Sequence, residues 1–71
     1  MVKEKIGNVE LKTIQKVMEA IKLSKQPLSA SAISKLEQLN FVSCANALAY
    51  LKEEGKVKEL ETSSGTFWVV A

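Results

Sequence analysis

The stretch Glu53–Val70, EEGKVKELETSSGTFWVV, nearly closes the chain and carries its only tryptophan. "KVKELE" and "TFWVV" are rich in β-forming residues, and the polar "TSSG" between them, ending on Gly65, reads as a turn. The pattern predicts a β-hairpin. Strand alternation puts Phe67 and Val69 on one face and Trp68 and Val70 on the other, with Leu60 expected in the Trp68 set. Both faces are then apolar, which is more than a ribbon covering one core requires. The Trp68 face is expected to find cover from the segment around Val2 and Ile6, from a lysine stem, or from a second copy of the chain.

Outward from this ribbon, helical periods take over. Between Asn8 and Ser24 the residues Leu11, Ile14, Val17, Met18 and Ile21 recur at spacings of three and four, one buried helical face. Asn8 is the expected N-cap, Glu10 lies in the first turn, Lys22 and Lys25 lie near the other end, and Pro27 stops the helix. Leu28 is expected to be extended, and Ser29 to cap a second helix with Ile33 and Leu36 inward and Leu39 closing its end. Asn40 makes a turn or cap. A third helix runs through FVSCANALAYLKEE to Gly55, the residue best suited to a left-handed C-terminal position. Its expected inward stripe is Phe41, Cys44, Leu48 and Leu51, with Ala47 beside it. Residues 1–7 are read as a tail and 8–71 as one domain.

Composition narrows the functions available. Seventy-one residues hold one domain, and an apolar content of 46% is enough for a core without disulfides. One cysteine cannot form an internal bridge. Its inward placement makes Cys44 a packing residue rather than a redox switch. Ten lysines and no arginine oppose eight glutamates, a net charge of +2. Histidine is absent, so catalytic triads, Cys–His dyads and transition-metal sites lack their usual parts. The chain is expected to be no enzyme and to need no metal or cofactor. The N-terminus lacks a signal-peptide run and no segment approaches a membrane span, so a soluble, cytoplasmic protein is expected.

Three helices followed by a hairpin is an α+β order, and two short helices joined by a tight turn suggest a helix-turn-helix. "ALAYLKEEGKV" resembles the end of the recognition helix and the start of the wing in winged helix-turn-helix domains, and "GTFWVVA" resembles their returning strand. The resemblance covers residues 9 to 71. Among small stand-alone members the chain is similar to the fimbrial-operon regulators, which also end on an aromatic-rich strand after a short wing. A likeness to the Z-DNA-binding winged helices, through "EEGKV" and the late Trp, fails at the functional positions. Those domains carry an Asn and a Tyr four apart on the third helix and a Pro-Pro wing, where this chain has Ala45, Ala49 and no wing proline.

The resemblance implies double-stranded DNA as partner and transcription regulation as role. Helical geometry turns Val42, Ser43, Asn46, Ala49, Tyr50 and Glu53 outward. Asn46 is suited to a bidentate pair with adenine, Ser43 to a base edge or phosphate, and Val42 and Ala49 to thymine methyls. Tyr50 is expected to donate to a phosphate. Further phosphate contacts are expected from Ser29, Ser31 and Lys35 on the second helix, Lys52 at the end of the third, Lys56 and Lys58 on the wing, and Ser63 and Ser64 at its tip. For the wing to follow a DNA backbone, Lys56 and Lys58 must face it and Glu59 and Glu61 must face away. A second reading uses the same low-charge face, Val42, Ala45, Ala49 and Tyr50, to dock a protein partner. Trp68 and Val70 are the candidate surface for a homodimer.

Overall fold

A computed structural model describes residues 5–6 and 9–71. The elements are β1 (Lys5–Ile6), β2 (Val9–Glu10), α1 (Leu11–Leu23), α2 (Ala30–Leu36), α3 (Phe41–Glu53), β3 (Val57–Thr62) and β4 (Gly65–Val70). β1 and β2 form a small antiparallel pair, Lys5 against Glu10 and Ile6 against Val9. β3 and β4 form the wing. Its register runs without a bulge from Val57 against Val70 to Thr62 against Gly65.

The core collects Ile14, Val17, Ala20 and Ile21 from α1, Ile33 from α2, Cys44, Ala47, Leu48 and Leu51 from α3, and Val57 from β3. Ile33 and Leu48 are fully buried, each contributing about 1.5–3 kcal/mol of transfer free energy. Leu28 is extended, and its N–H and carbonyl both bond Trp68, at 3.2 and 2.8 Å. This single antiparallel bridge makes Leu28 a third strand on the outer side of β4 and ties the α1–α2 connection to the wing. Three helices closed by such a ribbon form a winged helix-turn-helix. No helix among the described residues is long and apolar enough to cross a membrane.

Several expectations are corrected. Helix α1 starts at Leu11, not after Asn8, because Val9 and Glu10 are drawn into the β1–β2 pair. Asn8 lies outside the described residues. Glu10 occupies the N-cap position without a side-chain cap bond, and Leu11, on the first turn, is exposed. Leu36 is 64% exposed and Phe41 55% exposed, so neither is a core residue. In α2 the buried neighbour of Ile33 is Ser34, whose hydroxyl donates to the Ser31 carbonyl at 2.8 Å and so enters the core satisfied. At about 100° per residue, Phe41 lies roughly 70° from the middle of the Cys44–Ala47–Leu48–Leu51 stripe, on a first turn that overhangs the core. Leu60 pairs with Phe67, not with Trp68, and lies 39% exposed on the far face of the wing. On the Trp68 face, Trp68 packs partly buried against the chain's own core beside Leu28, while Val70 is 45% exposed.

The caps follow expectation at three of the helix ends. The Ser29 side chain accepts the Ala32 N–H at 3.1 Å, and the Asn40 side chain accepts the N–H groups of Val42 and Ser43 at 2.8 and 3.4 Å. Helix α3 closes with the Lys56 N–H on the Leu51 carbonyl and the Gly55 N–H on the Lys52 carbonyl, with Gly55 at φ 74°. That is a Schellman motif with glycine at its left-handed position. Helix α2 closes identically, Leu39 N–H on Ser34 and Gln38 N–H on Lys35, but the left-handed residue is Gln38 at φ 54°. A side chain there costs about 1–2 kcal/mol of backbone strain, partly offset by glycine's extra unfolded-state entropy of about 0.5–1 kcal/mol.

Gln38→Gly should therefore stabilise the protein by about 0.5–1 kcal/mol, whereas Gly55→Ala should cost about 1 kcal/mol. An added Cβ at Gly55 meets nothing within 4 Å, so the loss is backbone strain alone. Urea melts of the two variants test both signs. Cys44 offers a second test. Its thiol is fully buried, with Sγ 3.5 Å from the Ala30 carbonyl, and burial raises its pKa above the ordinary value. Native protein at pH 8 should react with a thiol-specific disulfide reagent far more slowly than urea-unfolded protein; equal rates would contradict the burial.

Candidate nucleic-acid interface

The outer face of α3 is built by one subtraction. Cys44, Ala47, Leu48 and Leu51 go to the core, and the opposite aspect carries Val42, Asn46, Ala49 and Glu53, all exposed, with exposed Ser43 beside them. Val42 is 64% exposed. No other part of the described chain lies over this aspect. It presents one carboxamide, one hydroxyl and small apolar groups, and α3 carries no charged side chain before Lys52.

Tyr50 lies at the margin of this face, one helical turn beyond Asn46. It is partly buried against the core and lines an open groove of about 520 Å³ together with Leu11, Ile14 and Met18 of α1. Lys56 stands at the rim of the same groove, on the α1 side of the molecule. Ser29 is committed to its cap, so its hydroxyl oxygen already holds one N–H. Ser31 and Lys35 are exposed on α2. Ser63 and Ser64 are exposed at the wing tip, where the Thr62 hydroxyl donates to the Gly65 carbonyl at 3.0 Å and accepts the Ser64 N–H at 3.1 Å.

The wing is oriented the other way from the sequence expectation. Val57 is buried, so the residues of its parity, Glu59 and Glu61 on β3 with Trp68 on β4, share the face turned to the helices. Glu59 reaches α3 and forms an ion pair with the Lys52 ammonium. The pair raises the Lys52 pKa, chiefly through the hydrogen bond to Glu59 and then its charge, with a smaller contribution from Glu61. Lys58 lies on the opposite face with Leu60, Phe67 and Val69. The glutamates, not the lysines, border the exposed aspect of α3, because the parity that buries Val57 fixes them there.

Two exposed side chains escaped the sequence reading, Leu36 and Phe41, flanking the turn between α2 and α3 together with Val42. Hydrophobicity alone assigned them inward. The signal that would have placed them is the shortness of α2, seven residues with two buried, and the position of Phe41 immediately after a capping Asn.

No protein-family model matches the chain, and no curated protein matches it. Among solved structures it is similar to the Helicobacter pylori ferric uptake regulator Fur, whose structure reveals three functional metal binding sites. The two agree with a TM-score of 0.77 at 27% identity, over 84% of this chain and 44% of that one. The chain thus matches less than half of that regulator's length. Here histidine is absent, and among the described residues no group of three or more His, Cys, Asp or Glu is placed to hold a metal ion. The likeness to the fimbrial-operon regulators rests on sequence alone.

Proposed function

We propose that this chain is a DNA-binding regulator that enters the major groove with the outer face of α3. One observation carries the reading: in a winged helix-turn-helix similar to a ferric uptake regulator, the face Val42–Asn46–Ala49 is left open by the rest of the described chain. An α-helix fits the major groove, and this face holds the groups that read A·T pairs, a carboxamide for adenine and apolar surface for thymine methyls. It offers no Arg or Lys for guanine. Sequence preference therefore falls on A·T-rich sites and on their shape. Ser43, Ser31 and Lys35 supply phosphate contacts nearest the helix, and the exposed Ser63 and Ser64 are those within reach of the wing tip. Lys58 stands on the far face, so one copy grips the backbone weakly, and a second copy on a symmetric site would double its phosphate contacts.

A second reading is favoured by a specific observation. Leu36, Phe41 and Val42 are large, apolar and exposed around one turn, a cluster of the kind that protein interfaces bury. A winged helix can dock a protein partner with this surface. Under that reading Val42→Asp releases the partner and duplex binding is absent even at low salt.

Titration of labelled protein with A·T-rich duplex separates the two. Ser43, Asn46 and Lys35 amides should shift together, and Asn46→Ala should cost on the order of 1–3 kcal/mol at one base position only. Shifts confined to α1, or none at millimolar protein, would sink the DNA reading.

A further inference from the structure

We propose that Glu59 is a brake on duplex affinity: it holds Lys52, the one cation of α3, away from the phosphate backbone that this helix approaches. The inference rests on the DNA-binding reading above and names how that site's strength is set. Lys52 is the only Lys or Arg between Phe41 and Glu53. Its ammonium is engaged by Glu59 from the adjacent wing strand. Burial does not hold the pair together, since the side chains are 54% and 33% exposed, and an exposed pair of this kind adds little to stability. Its consequence lies in where the charge is directed.

The surroundings strengthen the effect. The unbroken β3–β4 register puts Glu61 on the same face as Glu59, and Glu53 and Glu54 are exposed at the end of α3. Lys52, the one cation of α3, therefore stands at a junction bordered by carboxylates. Non-specific association with DNA is driven by cations that displace counterions from phosphates. Base contacts by Asn46, Val42 and Ala49 do not depend on that charge. Retaining Lys52 on Glu59 keeps binding to arbitrary duplex weak and leaves discrimination to the neutral face.

The test is fluorescence anisotropy with A·T-rich and G·C-rich duplexes across a salt series, comparing the natural chain with Glu59→Gln, Lys52→Gln and the double variant. Thermal melts of all four verify folding. Glu59→Gln should tighten binding to both duplexes roughly three- to tenfold at low salt, and steepen the slope of log K against log salt by about 0.9, the value of one new phosphate contact. Lys52→Gln alone should change little, because that charge is already withheld. In the Glu59→Gln background it should abolish the gain. If the natural chain binds and Glu59→Gln leaves affinity and slope unchanged, the brake is refuted while DNA binding stands. Equal losses from Lys52→Gln in both backgrounds refute it too. Absence of duplex binding by any of the four proteins overturns the DNA reading itself, and the brake with it.

Discussion

Two backbone hydrogen bonds between Leu28 and Trp68 hold the architecture together. A chain of this size has one core, and the helices alone leave its C-terminal side open. The bridge brings the residue after Pro27 against the middle of the returning strand, so the wing becomes a lid with a fixed position instead of a free hairpin. Once Trp68 is placed, the parity of β4 and the register with β3 follow, and Val57 enters the core. The orientation of every charged side chain on the wing descends from that one attachment.

This dependence explains the character of the exposed α3 face. The four residues that α3 gives to the core leave its opposite side exposed, and up to Lys52 that side is uncharged. The wing beside it turns Glu59 and Glu61 toward the helix and Lys58 away. Under the proposed DNA-binding reading, such a face relies on fit and on neutral contacts with modest electrostatic attraction, in keeping with a net charge of +2. The lack of arginine points the same way, since bidentate guanine contacts are most often made by Arg.

The fold was legible because its signals were local. Pro27, Gly55 and Gly65 mark the boundaries, Ser29 and Asn40 cap the helices they precede, and the stripes Ile14–Val17–Ile21 and Cys44–Leu48–Leu51 have a clear helical period. What was not legible depended on how elements meet. Leu36 and Phe41 look like core residues until the shortness of α2 and the overhang of the first turn of α3 are known. Asn8 looks like a cap until the β1–β2 pair draws Val9 and Glu10 out of the helix. Alternation alone groups the wing lysines on one face, but it gives two faces without saying which one meets α3. Burial of Val57 answers that, and Tyr50 shows the same limitation: its helical angle is compatible with the outer face, yet α1 lies close enough to partly bury it.

The Leu28–Trp68 attachment also orders events in time. Each helix is made of contacts close in sequence, whereas the attachment joins residue 28 to residue 68 and must close the intervening segment, with α2, α3 and β3, into a loop. Contacts so distant in sequence form late in small domains, because their entropic cost precedes any gain. Trp68, the only indole in the chain, sits at that closing point and is a built-in optical reporter of it. In rapid refolding its emission should lag the far-ultraviolet signal of the helices; coincident traces would mean that helices and wing assemble in a single step.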